Sequence, residues 1–210
     1  MKNMRIYHLL MATILLSIVG FTSCGEKEVV TPDPDPIITL AEEEAAQLIY
    51  LREEEKLARD VYLYFDNKYN QQIFKNISAS EQSHMDAILV LLGQYELEDP
   101  ALSEEGVFSN EDLQTLYNAL IKKGDSSLLD ALQVGATIED VDILDLQHAI
   151  DKTTQADIIS VYEKLMCGST NHMRGFTNWL QNNGGTYTPQ FITQDEYDAI
   201  ISSEHQNCNN

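Results

Sequence analysis

Hydrophobic residues after position 40 recur at intervals of three and four, which is the spacing of an α-helix with one buried face. The pattern predicts four long helices, and no stretch shows the two-residue alternation of a half-buried strand. The predicted ranges are 40–68, 78–95, 137–151 and 154–181 for the long helices, 110–122 and 125–133 for two short helices, and 194–201 for a helix near the C-terminus. The sequence therefore predicts an all-α fold, a four-helix bundle with a helical insertion at 97–135 between the second and third long helices.

Three residues are predicted to cap long helices. Thr39 is followed three residues later by Glu42, and Ser78 by Glu81, which is the spacing of a capping box. Thr137 is the predicted cap of the third long helix. These residues set the predicted helix starts.

Charged residues interrupt the apolar face of the first two long helices. Glu55 lies in the middle of the apolar face of the first helix, and Glu81 and His84 lie in the middle of the second. The apolar neighbours on these faces are Leu48, Leu51, Ala58, Tyr62 and Phe65 on the first helix and Ile77, Ile88 and Leu91 on the second. A charged group facing a core is costly unless it is paired or bound to a metal. Glu-x-x-His on one helical face is half of the usual ligand set of a two-metal carboxylate site.

The other two long helices carry similar interruptions. The third has Glu139 and Asp142, and the fourth has Ser169 and His172 on an otherwise apolar face. Tyr62 is expected to pack in the core and to donate a hydrogen bond to a ligand carboxylate. The candidate metal ligands are Glu55, Glu81, His84, Glu139, Asp142 and His172.

Each candidate also has an ordinary structural interpretation. Glu55 could pair with Arg59 one turn later on a solvated face, and Glu139 could interact with the helix dipole in a first turn. Asp142 could be solvated, and a lone His172 on an apolar face is more often a hydrogen-bonded core residue than a ligand. The coincidence of interruptions on four helices favours the metal site.

The remaining acidic and histidine side chains near these positions are predicted to be exposed. Glu53 and Glu54 are rotated away from the apolar face toward solvent, with Glu54 the nearest rival of Glu55 as a ligand. His148 and His205 lie on no apolar face and are predicted at the surface.

The first 23 residues are predicted to be a signal peptide of the lipoprotein type. Basic residues precede an apolar run at 6–19, which is too short for a comfortable membrane span. Small residues then lead to Cys24, the expected lipidated N-terminus of the mature chain; an ordinary secretory signal with an incidental cysteine is the alternative. Residues 24–38 alternate Pro and Asp and predict an extended tether, and 39–205 form the predicted folded domain.

The net charge of the chain limits the classes of molecule that it is expected to bind. The sequence has 13 basic and 34 acidic residues and a net charge of −21, which argues against binding of nucleic acid or an anionic membrane face. Membrane contact is therefore expected through the N-terminal lipid only. Cys167 and Cys208 could form one disulfide, but no larger cysteine framework exists and both are predicted to be free.

Four runs of residues resemble a known family. The run EKLARDVYLYF at 55–65 is similar to the first ligand helix of rubrerythrin-type ferritin-like proteins. The segment from about 40 to 201 resembles an uncharacterised bacterial family of ferritin-like domains through REEEKLARDVY at 52–62, SEQSHM at 80–85, GATIEDVDI at 135–143 and GSTNHMR at 168–174. The resemblance implies ligands at Glu55, Glu81, His84 and Glu139, and a second Glu-x-x-His. This sequence has Ser169 where that last Glu is expected, and Asp142 is the proposed replacement.

Two classes of function follow from the resemblance and the ligand types. One is a redox protein with two metal ions, iron preferred over manganese, that acts on oxygen or peroxide. Because no Cys-x-x-Cys pair is present for a rubredoxin-like donor, it would need an external electron donor. The alternative is a non-catalytic metal-sequestering or interaction domain with a partial or empty site. The missing Glu also leaves open a site that holds one ion only. Either would act in the bacterial cell envelope, facing the periplasm or the cell surface, and a homodimer is left open.

Overall fold

The computed structural model describes residues 40–208, and helices account for all the regular secondary structure within this range. The six helices are α1 (Glu42–Tyr69), α2 (Gln72–Gln94), α3 (Glu111–Gly124), α4 (Leu128–Lys152), α5 (Ala156–Asn182) and α6 (Gln194–Ser202). The predicted all-α class is confirmed. In the described residues, no helix combines the length and the apolar character needed to cross a bilayer.

Helix α2 begins at Gln72, earlier than predicted. Asn70 ends α1 in the left-handed conformation (φ 52°), and its N–H donates to the carbonyl of Asp66 at 2.7 Å. Asn tolerates this conformation, so α1 and α2 are joined by a tight connection. Ser78 is therefore inside α2, where its hydroxyl donates to the Lys75 carbonyl at 3.0 Å, and its predicted capping role is wrong.

Helix α4 replaces two predicted helices. Ser127 caps it by accepting from the Asp130 N–H at 3.1 Å, and the helix runs without a break through Gly135 to Lys152. A Cβ on Gly135 would lie 2.4 Å from the Phe176 ring, so this glycine is needed for close packing of α5. Thr137 lies inside the helix, where its hydroxyl donates to the Gln133 carbonyl, and its predicted capping role is also wrong.

The four long helices enclose a core with a polar layer between two apolar clusters. Helix α1 packs on α2 and α4, and α5 packs on the same two helices; α3 covers α1 and α4, and α6 lies on α5. One cluster contains Tyr62, Phe65, Phe74 and Phe176, and the other contains Leu48, Leu51, Ile88 and Leu165. On α1, Glu55 falls between the residues of the two clusters, as do Glu81 and His84 on α2. Acid and imidazole side chains are thus held at the middle of the core.

The prediction of free cysteines is wrong. Cys167 on α5 is bonded to Cys208, with 5.6 Å between their Cα atoms. Asn171 explains the pairing, because its side chain accepts from the Gln206 N–H at 2.9 Å and donates to the Gln206 carbonyl at 3.0 Å. These bonds hold the C-terminal segment along α5 and bring the two sulfur atoms together.

The predicted signal peptide, Cys24, the tether and the Thr39 cap lie outside the described residues. Within them, the N–H of Ala41 donates to the Glu44 carboxylate at 3.0 Å at the start of α1.

Candidate metal centre

Glu81 lies between two histidines at the middle of the core. Its Oε2 is 2.7 Å from Nδ1 of His84 and its Oε1 is 2.9 Å from Nδ1 of His172. His84 is one turn along α2, whereas His172 comes from α5. A single carboxylate therefore contacts two imidazoles through two different oxygens.

Glu55 and Glu139 complete the cluster on opposite sides of Glu81. Oε2 of Glu55 is 3.2 Å from Nδ1 of His84, and Oε2 of Glu139 is 3.3 Å from Nδ1 of His172. Two sets of donor atoms therefore lie close enough to hold an ion each: Glu55, Glu81 and His84 in one, and Glu81, Glu139 and His172 in the other. Glu81 belongs to both.

The donor atoms are buried and incompletely bonded. The three carboxylates are 1–2% exposed and the histidines 8%. Oε1 of Glu55, Oε2 of Glu81 and Nδ1 of His172 have no hydrogen bond of acceptable geometry within the described residues, in spite of the short approaches above. Unsatisfied buried polar atoms are costly, and carboxylate oxygens with imidazole nitrogens suit iron, manganese or zinc. The residues present therefore fit a metal centre.

Burial and the closeness of the charged groups shift the pKa values of the cluster. Burial raises the pKa of Glu55 to about 7; the nearby His84 lowers it only in part, and Glu81 and Glu139 raise it further. Burial would also raise the pKa of Glu81, but His172 and His84 outweigh it and hold the pKa well below the usual value. Burial opposes the charge of His172, yet Glu81 and Glu139 raise its pKa to about 10. In the absence of a metal, bound protons therefore supply the positive charge that offsets the buried carboxylates. A metal ion would supply that charge in their place.

Neighbouring residues fix the two imidazole rings. Nε2 of His172 lies 3.0 Å from the hydroxyl of Ser80. His84 packs against the backbone of α5 at Gly168, where a Cβ would lie 2.4 Å from Nε2 of His84. Only glycine leaves room for this ring, so both rings are turned with Nδ1 toward the carboxylates.

Tyr62 supports Glu139 from α1. Its hydroxyl donates to Oε1 of Glu139 at 2.5 Å, leaving Oε2 of Glu139 toward His172. This is the contact predicted for Tyr62. Because α4 begins at Leu128, Glu139 is in mid-helix, and a first-turn helix-dipole role is excluded.

Asp142 lies outside both sets of donor atoms. Its Oδ2 accepts from the hydroxyl of Ser169, and its Oδ1 has no hydrogen-bond partner within the described residues. Burial first, and then the charges of Glu55, Glu139 and Glu81, raise its pKa well above the ordinary value. The structure thus places Asp142 beside the cluster, paired with Ser169 rather than in place of the missing Glu.

The prediction that Glu53 and Glu54 face solvent is wrong, because the segment before α3 covers this side of α1. Glu53 is 3% exposed and accepts from the backbone N–H groups of Ser109 and Asn110 at 2.7 and 3.0 Å. Glu54 is 7% exposed and is contacted by the Tyr50 hydroxyl at 3.4 Å.

The structure also tests the predicted Glu55–Arg59 pair and the predicted surface positions of two histidines. Arg59 does not pair with Glu55; its guanidinium donates to Asp60 and, at 2.6 Å, to Gln82. His148 and His205 are exposed, as predicted.

A groove beside the histidines, here called the histidine groove, was not predicted. It has a volume of about 670 Å³ and is lined by α2, α5 and residues 205–208, with His84, His172 and His205 among the lining residues. The disulfide to Cys208 holds its C-terminal wall in place. It gives solvent access to the histidine side of the cluster, and no local sequence signal marks it because its wall is 41 residues from Cys167 along the chain.

The fold and the site define an all-helical protein with a buried cluster of carboxylates and histidines. Residues 44–204 match the family described as uncharacterized protein domain DUF2202, and the chain belongs to that family. It is 57% identical over 165 residues to the uncharacterized protein MJ0754 of Methanocaldococcus jannaschii, covering 78% of this chain and 89% of that protein. The crystal structure of hypothetical protein MJ0754 has a TM-score of 0.80 to this chain at 54% identity, covering 83% of this chain and all of that one. This relative is archaeal, so the expectation of a purely bacterial family is wrong.

Proposed function

We propose that this chain is a ferritin-like metalloprotein that holds two metal ions, iron in preference to manganese, in the core of a four-helix bundle. The observation that carries the proposal is the position of Glu81, whose two oxygens face two histidines and which belongs to both sets of donor atoms. Glu55 and His84 would complete one ion's ligands, and Glu139 and His172 the other's. Asp142, whose pKa is raised by burial and by the charges of the nearby Glu55, Glu139 and Glu81, would be the additional carboxylate ligand.

The chemistry proposed for a bound pair of iron ions is electron exchange with oxygen or peroxide. The protein's own part is to fix the donor atoms and to limit access. Tyr62 holds Glu139, Ser80 holds His172 and Gly168 admits His84. Small reactants and an external electron donor would approach through the histidine groove.

The second candidate is metal sequestration without turnover. It is favoured by Ser169, which occupies the position of the expected carboxylate and bonds Asp142 instead of facing the donor sets. With fewer carboxylates, one of the two ions would be held weakly or not at all.

Metal analysis followed by peroxide treatment tests the proposal. Protein purified without chelator should contain close to two equivalents of iron, and Glu81→Ala should lose both. Addition of peroxide to the reduced protein should change the absorption spectrum of the iron. Metal bound without any such change would leave sequestration as the function, and absence of metal after reconstitution with iron, manganese and zinc would reject the metal centre.

Export and lipid anchoring at Cys24 form a separate part of the proposal. Support comes from the order of basic, apolar and small residues before this cysteine, followed by the Pro/Asp tether. Cys24→Ser should move the protein from the detergent phase to the aqueous phase, or leave it unprocessed. Equal partitioning of wild type and variant would reject lipidation at this residue.

A further inference from the structure

A short polar segment, residues 203–208, borders the histidine groove and is here called the C-terminal strap. Residues 205–208 of the strap line the groove together with His84 of α2 and His172 of α5, the two imidazoles of the donor cluster. Residues 203–207 are exposed, and the strap has no apolar side chain apart from its cysteine that could anchor it in the core. The strap therefore borders the route from solvent to the histidines without being packed into the fold.

The strap is tied to α5 by hydrogen bonds and by a covalent bond. Asn171 donates to the carbonyl of Gln206 at 3.0 Å and accepts from its N–H at 2.9 Å. A hydrogen bond between uncharged groups shifts an equilibrium by about tenfold at most. Cys208 is bonded covalently to Cys167, 41 residues away in the chain. The disulfide is therefore the tie that keeps the strap from leaving α5.

The disulfide is accessible to a reductant. Cys167 and Cys208 are both half-buried, and both line a surface cavity of about 150 Å³. This cavity shares Lys164 and Cys208 with the histidine groove, so the disulfide is bordered by two open spaces. Exposed disulfides are reduced more readily than buried ones. A dithiol can therefore reach the bond in the folded protein.

We propose that the C-terminal strap is a redox-operated cover of the histidine groove. An external dithiol breaks the bond between Cys167 and Cys208. Its two sulfur atoms give up two electrons and two protons and join in a disulfide, while the two cysteines become thiols. The strap then leaves α5 and uncovers the histidine side of the donor cluster, and transfer of a disulfide back from the oxidised dithiol restores the cover. The role assigned to this movement, control of metal exchange, rests on the proposed metal centre, whereas the movement itself does not.

Solvent access to the groove is measured first, on metal-free protein, by NMR with a neutral, soluble gadolinium complex. The full chain carries Cys24→Ser, so that Cys167 and Cys208 are the only cysteines present. Dithiothreitol should increase the paramagnetic relaxation of amides 168–172 about twofold or more, because the remaining hydrogen bonds leave the open state well populated. Unchanged relaxation at these amides overturns the proposal. An equal increase at the core amides 57–65 of α1 also overturns it, because the whole fold would then be loosened.

Variants separate loss of the disulfide from other effects of the reductant. Cys208→Ser and Cys167→Ser should each show the relaxation of the reduced chain, and neither should respond to dithiothreitol. Gln206→Ala is the matched control within the strap. It keeps the disulfide and the two backbone bonds to Asn171, so it should respond to dithiothreitol as the parent chain does. Relaxation in Cys208→Ser equal to that of the oxidised parent chain would overturn the proposal.

Metal exchange is measured second, with zinc as a probe that does not change its oxidation state. Zinc-loaded Cys208→Ser should transfer its metal to a chelator about tenfold or more faster than the disulfide-bonded chain, since only hydrogen bonds then hold the strap. Equal transfer rates would overturn the strap's control of metal exchange. A chain that binds none of zinc, iron and manganese would instead reject the metal centre, and the relaxation measurements would still decide whether the strap opens.

Discussion

Helix α1 carries two buried polar clusters that differ in how completely the protein satisfies them. Around Lys56, Nζ donates to Asp60 at 2.6 Å and to the carbonyls of Glu104 and Val107 at 2.8 and 3.1 Å. Asp60 also accepts from Arg59 and from the Gly106 N–H. Around Glu55, the residue just before Lys56 and therefore about 100° away around the helix axis, buried oxygens and nitrogens stay unpaired.

The difference separates a structural cluster from a binding cluster. Lys56 is fully buried, and each of its three donors has a partner, so it fixes the segment before α3 onto α1. Glu55, Glu81 and His172 instead each keep one buried polar atom without a hydrogen bond, which a fold would not retain for stability alone. Both clusters bury charged groups. Only the cluster around Glu55 keeps buried polar atoms without hydrogen-bond partners.

The largest expected effect is on the structural cluster. Lys56→Met should cost about 3–5 kcal/mol of unfolding free energy, because it removes one partner of a buried ion pair. Urea denaturation without metal measures it. Lys68→Met, which alters a solvent-screened lysine of the same helix paired with Asp125, should cost far less than Lys56→Met. Equal stability of Lys56→Met and wild type would contradict the structural role of this cluster.

Bound metal should raise the unfolding free energy of the protein, and this gain should depend on the binding cluster and not on the structural cluster. At a free metal concentration of 100 times Kd the gain is about 2.7 kcal/mol. Calorimetry with iron, manganese or zinc should show the gain in wild type and lose it in Glu81→Ala and His84→Ala. Glu53→Ala should lower stability without metal, since it leaves two backbone N–H groups unpaired, but should keep the metal gain. A melting temperature unaffected by all three metals would falsify the comparison.

A smaller effect is expected where α5 receives the imidazole of His84. Gly168→Ala should lower stability by about 1–3 kcal/mol through overpacking and should weaken metal binding, because the added methyl displaces the ring. Gly93→Ala is the control, since nothing lies within 4 Å of a Cβ in this other helical glycine. The two variants are compared by urea denaturation and metal titration. Equal metal affinities in both variants would show that Gly168 does not position His84.

The last expected effect is a dependence of protein stability and of metal affinity on pH. The neighbouring acids raise the pKa of His172 to about 10, above its ordinary value, so the metal-free protein gains stability that is present below about pH 6.5 and lost as pH rises toward 10. Because a metal requires the neutral imidazole, metal binding should release protons and strengthen as pH rises. Calorimetric titration in buffers of different ionisation enthalpy counts the protons, and no net release would contradict the protonated cluster.

The sequence predicted which face of each helix is buried more accurately than it predicted where each helix begins. Periodicity placed Glu55, Glu81, His84, Glu139 and His172 on apolar faces, and the structure brings these five together. The capping patterns predicted that helices begin at Ser78 and Thr137. In the structure both residues lie inside helices that begin earlier, at Gln72 and Leu128. A hydroxyl that can cap a helix can equally bond a carbonyl of the preceding turn, so the local signal is ambiguous.

The sequence by itself determined the helical class and the inward-facing acids and imidazoles, because both depend on spacing within one helix. Only the tertiary structure decided the rest. Glu53 and Glu54 are buried because residues 104–110 and α3 cover them, and Cys167 meets Cys208 because Asn171 binds Gln206. Asp142 turns to Ser169 because α5 presents that hydroxyl. These contacts join segments far apart in the chain, and no local pattern encodes which distant partner will reach a given side chain.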